Sequence, residues 1–198
     1  MGFVYTYMDT PVGKLTLVGS DKGLAAILWE DDRPGRVRAT PDIKADQHPV
    51  LVATMQQLQE YFEGKRTTFA IPLDLQGTAF QKAVWAILAT IPYGETRTYL
   101  QIAEQLNNPK AVRAVGAANG RNPVSIILPC HRVIATSGAL TGFAGGLPVK
   151  ATLLSLEGAK SPSQQMEINW EYQSSKVVTA VAAPDIFFTG RNVTLGDI

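Results

Sequence analysis

The tetrapeptide Pro129-Cys130-His131-Arg132 places the only cysteine of a 198-residue chain directly beside one of its two histidines. A thiol attacks only as its thiolate, and a neighbouring imidazole or cation can draw its pKa down from about 8.5. His131 and Arg132 are the next two residues, so Cys130 reads as a nucleophile with its base at hand. The competing reading is structural, because a free cysteine is among the most buried residue types and behaves as a small hydrophobe. The surroundings favour chemistry. An apolar run from Val124 to Leu128 delivers Cys130, and Gly138 supplies a turn after it.

Around this tetrapeptide further motifs occur in a fixed order: Arg113-Ala114-Val115-Gly116, Asn122-Pro123, Leu128 to Val133, and Phe143-Ala144-Gly145-Gly146. Over roughly residues 1 to 160, most strongly from Thr78 onward, the chain resembles the O6-alkylguanine-DNA alkyltransferases. The resemblance implies irreversible, stoichiometric transfer of an alkyl group from O6-alkylguanine, and from O4-alkylthymine, to Cys130, with no cofactor. It also implies that His131 acts through a water and that a glutamate 27 residues beyond the cysteine orients it; Glu157 stands at that position. These three residues complete the logic of nucleophile, base and orienter.

The target carbon lies inside a duplex, so the base must be extruded at a cost of a few kcal/mol. By resemblance Arg113 fills the space left by the flipped nucleotide, and Tyr99 supports flipping and donates toward guanine N3. A phenol with an ordinary pKa of about 10 suits donation. Tyr99 also reads as an aromatic packing anchor. Asn122, eight residues before Cys130, is expected to bond across a turn and hold the backbone of the site; the alternative is a plain Asn-Pro turn. Val133, Phe143, Ala144, Gly145 and Gly146 are expected to line the substrate pocket, the glycines letting backbone N–H groups approach O6. Many relatives carry Tyr and Ser where this chain has Phe143 and Ala144, a departure that bears on pocket size.

The elements that must position these residues can be read from periodicity. Apolar residues alternate at Phe3, Tyr5, Tyr7, Leu15, Leu17, Leu24 and Ile27 to Trp29, separated by the turn sequences Thr10 to Gly13 and Ser20 to Gly23, which predicts a small antiparallel sheet. Residues 31–49 are polar with three prolines. Leu51, Met55, Leu58 and Phe62 then share one helical face that ends at Gly64. Phe69 to Leu75 reads as an additional strand.

Thr78 with Gln81, and Thr98 with Gln101, each read as a capping box. The first opens a helix stopped by Pro92 and the second a helix from Tyr99 to Leu106. A turn at Asn107-Asn108-Pro109 leads to a third helix from Lys110 to Gly120, and the pair reads as a helix-turn-helix. A last helix, framed by Pro148 and Gly158, is expected to contain Glu157. The predicted fold is α+β: an N-terminal antiparallel-sheet domain over 1–77, ribonuclease H-like by resemblance, and a mostly helical C-terminal domain over 78–160. Residues 161–198 form a tail with strand-like alternation at Met166, Ile168, Trp170 and Tyr172, to which no role is assigned.

The third helix is rich in small residues. Ala111, Ala114 and Gly116 read few base edges, yet they let the backbone approach a groove, which suits minor-groove contact with little sequence specificity. A tightly packed core helix would show the same composition. Charge is uneven: residues 1–78 balance to −2, residues 79–160 to +5 and residues 161–198 to −2. The basic segment, with Arg113 and Arg121, is where phosphate contacts are expected. Double-stranded DNA is thus the expected partner, met by a monomer.

Composition excludes other classes. One cysteine forbids an internal disulfide, and one cysteine with two histidines is too few for a zinc cluster. There is no apolar run of about 18 residues and no signal-peptide pattern in Met1 to Thr10, so a cytoplasmic address, or a nuclear one in a eukaryote, is expected. Three rivals remain. A damage sensor without chemistry is disfavoured by Cys130, a Cys-His-Glu hydrolase would have no use for Arg113, and a sequence-specific regulator would be poorly served by an alanine-rich helix.

Overall fold

A computed structural model describes residues 2–159. The strand predicted around Met166 to Tyr172 lies outside the described residues.

The predicted alternation over the first 30 residues forms three strands, β1 (Phe3–Thr10), β2 (Gly13–Ser20) and β3 (Gly23–Trp29), each antiparallel to the next. A fourth strand, β4 (Pro41–Lys44), lies parallel to the outer edge of β1, giving the order β3-β2-β1-β4. Sequence reading missed it because its side chains are half or fully exposed and show no apolar alternation. One sheet face packs against α1 (Pro49–Phe62), which has Pro at its first turn and is followed by Gly64 at φ 71°. The other is covered by a smaller cluster in which Val18, Ala25 and Ala26 meet Ala39, Phe3, Tyr5 and Val37.

The expected strand over 69–75 is not formed. That segment makes one bridge, Leu24 to Leu73, with hydrogen bonds from Leu24 N to Pro72 O and from Asp74 N to Leu24 O. Gly23 permits the approach. At φ 151° it has backbone of Pro72 where a Cβ would stand, only 2.4 Å from the carbonyl oxygen.

Both capping boxes form as reciprocal pairs, Thr78 with Gln81 at the start of α2 (Ala79–Ala89) and Thr98 with Gln101 at the start of α3 (Tyr99–Gln105). The turn after α3 uses Asn107 at φ 54°, a conformation asparagine tolerates. The third helix begins later than expected: Pro109–Ala111 is a single 3₁₀ turn and α4 runs Val112–Gly120. Proline fixes φ and offers no N–H, so the chain tightens before it becomes α-helical. Val115 and Ala118 bury the inner face of α4, and Trp85 Nε1 of α2 donates to Ala118 O at 2.9 Å.

Residues 97–98 (β5) pair in parallel with Val133 and Ile134 (β6), tying the start of α3 to the segment that follows Cys130. The last helix, α5 (Leu147–Leu156), stops one residue before Glu157, which caps it rather than lying within it. A single apolar cluster runs from Leu15, Leu17 and Trp29 of the sheet through Leu58 and Tyr61 of α1 to Val84, Ile102, Val115, Cys130 and Leu153. No helix among the described residues is long and apolar enough to cross a membrane.

Candidate active site

Cys130, His131 and Arg132 form one 3₁₀ turn between the apolar run and β6. Cys130 is only 2% exposed and His131 has no exposure at all. The apolar run folds back on itself ahead of them. Asn122 Nδ2 donates to Leu128 O at 2.7 Å, and Asn122 Oδ1 accepts from Val124 N at 3.0 Å. Within this hairpin Ile126 is held at φ 75°. That backbone is unfavourable for a β-branched residue and persists only where its surroundings over-determine it. Ile126 is fully buried, and its neighbour Ser125 places Oγ 4.0 Å from the thiol.

Sequence adjacency suggested that Arg132 would bear on the thiol, but its contacts lie elsewhere. Arg132 turns to Glu157, donating from Nε at 2.8 Å and from Nη2 at 2.9 Å, and its Nη1 reaches Ile91 O at 2.5 Å. Nor is the thiol pKa low. Burial pushes it up, against the side chains of Asn122 and Ser125, which favour the thiolate. The thiol therefore rests protonated and requires a base.

His131 Nε2 lies 2.7 Å from Glu157 Oε1. Burial alone would raise the Glu157 carboxyl, yet hydrogen bonds from His131 and Arg132 hold it at about 2. It is thus an anion that can only accept, so Nε2 must carry the imidazole hydrogen. Burial likewise lowers the His131 pKa and keeps the ring neutral. Its other nitrogen, Nδ1, is buried with no hydrogen-bond partner among the described residues, and in this tautomer it is the basic one.

Glu157 also accepts from the Tyr61 hydroxyl at 2.7 Å. Tyr61 comes from α1, 96 residues earlier, and burial followed by the nearby carboxylate raises its pKa. A second long reach comes from Arg36. It grips Asp32 with two bonds of 2.5 Å and donates to Ile27 O at 3.0 Å and to the carbonyl of Asn122.

Tyr99 opens α3, half-buried, its pKa raised by burial and its hydroxyl accepting from Thr141 Oγ1 at 3.2 Å. A Cβ on Gly116 would stand 3.9 Å from the Tyr99 ring, so α4 lies alongside it. Arg113 and Ala114 are exposed on that helix, Ala111 and Gly116 are half-buried, and Arg121 is exposed at its end. The loop after β6 brings Phe143, Ala144, Gly145 and Gly146 to the site half-buried, and Phe143 meets the His131 ring edge to face at 6.4 Å. Val133, in contrast, is fully buried. Its carbonyl accepts from Lys150 Nζ at 2.5 Å, and the same ammonium donates to Thr141 O at 2.7 Å. Burial brings Lys150 down to about 8.

Arg36, Tyr61, Ser125 and Lys150 were not foreseen as parts of this site. Lys150 alone left a trace in the sequence, as the one charge in the apolar helix Leu147–Leu156.

The chain is similar to known proteins along nearly all of its described length. The family model for the 6-O-methylguanine DNA methyltransferase, ribonuclease-like domain, matches residues 3–75, and that for the DNA binding domain of the same family matches residues 79–159. The chain is 49% identical over 161 residues to a methylated-DNA--protein-cysteine methyltransferase of Mycolicibacterium paratuberculosis, covering 80% of this chain and 94% of that one. It is 51% identical over 152 residues to the protein of the same name in Mycobacterium leprae, covering 76% and 89%. Among solved structures, Mycobacterium tuberculosis OGT in complex with DNA is similar with a TM-score of 0.70 at 44% identity, covering 83% of this chain and 99% of that one.

Proposed function

The chain belongs to the 6-O-methylguanine DNA methyltransferase family and is a direct-reversal repair enzyme that transfers an alkyl group from DNA to cysteine, and we propose that Cys130 is the acceptor. The observation that carries this is a buried Cys130 next in the chain to a buried, neutral His131 whose Nε2 is locked on Glu157 and whose Nδ1 is left basic. The substrate is O6-alkylguanine, and by the same chemistry O4-alkylthymine, in double-stranded DNA.

In the proposed reaction His131 takes the thiol proton at Nδ1 through an intervening water, and Glu157 remains a carboxylate that stabilises the imidazolium. The thiolate attacks the alkyl carbon in line. The carbon–sulfur bond forms as the carbon–O6 bond breaks, and the electron pair returns to the guanine. Tyr99 directs its hydroxyl toward N3 to ease that departure, and the proton lost by the thiol is matched by one gained by the base. The product is a thioether that this apparatus cannot hydrolyse, so each molecule reacts once. No cofactor takes part.

Binding is proposed to use the small residues of α4 and of the turn that precedes it (Ala114 and Gly116, with Ala111) against the minor groove with little sequence preference, Arg121 at phosphate, and Arg113 in place of the extruded nucleotide. The protein acts as a monomer. The loop Phe143 to Gly146 covers the extruded base, with Asn122 holding the hairpin beneath it.

The test is intact mass after mixing the protein with a short duplex containing O6-methylguanine, beside Cys130→Ala. A gain of one methylene at one-to-one stoichiometry, only with Cys130 present, supports the proposal. Specific binding without a mass change overturns it in favour of a damage sensor.

A further inference from the structure

The loop that covers the proposed base site rests on a residue from the far end of the sequence. Trp29, at the end of β3, is only 7% exposed. Its indole meets the Phe143 ring edge to face, with centroids 5.4 Å apart and planes at 65°. Phe143 in turn stands edge to face on His131. Two residues further on, a Cβ added to Gly145 would fall 2.8 Å from each of two Trp29 ring carbons and 2.9 Å from a third. Real Cβ atoms do not come that close, so the loop backbone lies flat against the indole. A fused ring with only two side-chain torsions, buried among Leu15, Ile27 and their neighbours, cannot step aside as a long flexible chain would.

The other fastenings of this loop are at a different point. Lys150 holds Thr141 O and Thr141 holds the Tyr99 hydroxyl. Residues 143–145 are backed instead by the indole, with Phe143 also against His131 and Ala144 packed on the main core. Trp29 Nε1 is also buried without a hydrogen-bond partner among the described residues, so the indole is placed by packing and not by a polar anchor that would require a tryptophan.

We infer that Trp29 is a specificity-determining residue: through Phe143 and Gly145 it sets how far the covering loop stands from Cys130, and thereby the largest alkyl group the site accepts. The argument rests on the proposed transfer to Cys130 and extends it. A methyl group asks little of the gap between loop and thiol, whereas a benzyl group must fit a ring there. Removing the indole gives Phe143 room to withdraw without touching a reacting group. Trp29 acts through Phe143 and is a positioning residue.

The experiment compares single-turnover transfer from one duplex carrying O6-methylguanine and from the same duplex carrying O6-benzylguanine, for wild type, Trp29→Leu, Trp29→Phe, Gly145→Ala and the double variant Trp29→Leu with Gly145→Ala. Trp29→Leu should raise the benzyl-to-methyl rate ratio by about fivefold or more, with Trp29→Phe between it and wild type. Gly145→Ala alone should lose at least about tenfold in both rates, and the Leu substitution should restore most of that loss, because contacting residues couple and independent ones do not. An unchanged ratio with strictly additive losses overturns the inference, since a merely structural tryptophan would lower both rates and the melting temperature together. If Trp29→Leu does not fold, Trp29→Phe and the Gly145→Ala pairing with it decide the same question. Wild type failing to transfer even methyl would strike at the proposed function, not at the loop.

Discussion

Glu157→Gln isolates the charge of the carboxylate while keeping its shape. In the wild type the group accepts from His131, Tyr61 and two nitrogens of Arg132, all within 2.9 Å, at 5% exposure. An amide offers one acceptor, turns an N–H₂ toward donors, and leaves the Arg132 cation buried without its anion. Breaking a buried pair from one side costs about 3–5 kcal/mol. The same magnitude follows from titration: a carboxyl held at about 2 against an ordinary 4.5 contributes about 3 kcal/mol at neutral pH. For a folded region of this size the melting temperature should fall by about 10 °C. The sign with pH follows from the depressed folded value. The stabilisation is present above pH 4.5 and is lost as pH falls toward 2. Urea unfolding of both proteins at pH 7 and near pH 3 measures this, and the gap between them should narrow in acid. A deficit below about 1 kcal/mol, or one as large at pH 3 as at pH 7, refutes the reading of Glu157 as a buried anion pinned by its donors.

Because burial raises the Cys130 thiol pKa, alkylation by iodoacetamide at pH 7 should be at least about tenfold slower than for a free cysteine and should still be rising above pH 9.0; a faster rate than the free thiol would contradict it. Arg113→Ala should slow transfer from duplex DNA by about tenfold or more while sparing reaction with free O6-benzylguanine, since only the duplex requires base extrusion; equal losses on both would remove Arg113 from that role. Asn122→Ala deletes two buried hydrogen bonds and leaves Leu128 O and Val124 N unsatisfied, so chemical denaturation should report a loss of about 2–4 kcal/mol, with Asn122→Asp recovering only the bond to Val124 N.

The parts of the molecule that could be read in advance are those whose cause is local. Thr78 with Gln81 and Thr98 with Gln101 satisfy their own helix starts within four residues, and both caps form as read. The turn residues between β1, β2 and β3 set two antiparallel pairings for the same reason. What escaped reading depends on residues far apart. The short β4 exists because β1 has an open edge, not because Pro41 to Lys44 favour a strand. The segment Phe69 to Leu75 has strand composition but finds a bridge at a single residue. At the site, Cys130 and His131 could be singled out by type and adjacency, and Glu157 only through the family resemblance. The turning of Arg132 onto Glu157 was not legible, because sequence adjacency says nothing of which side of a 3₁₀ turn a side chain leaves by. Tyr61 and Arg36 carry no local mark of their partners 96 and 86 residues away.

The bond between Tyr61 and Glu157 also constrains when the protein can finish folding. During synthesis at about 5–20 residues per second, the 96 residues that separate them take roughly 5–20 s to be made. Throughout that interval α1 already carries a tyrosine whose hydroxyl is meant for the middle of an apolar core, and its acceptor does not yet exist. Until Glu157 is made, the face of α1 that carries Tyr61 lacks its buried acceptor. Glu157 then meets Tyr61, Arg132 and His131 Nε2 together, so among the described residues the closing of this part of the core and the assembly of the reactive centre coincide.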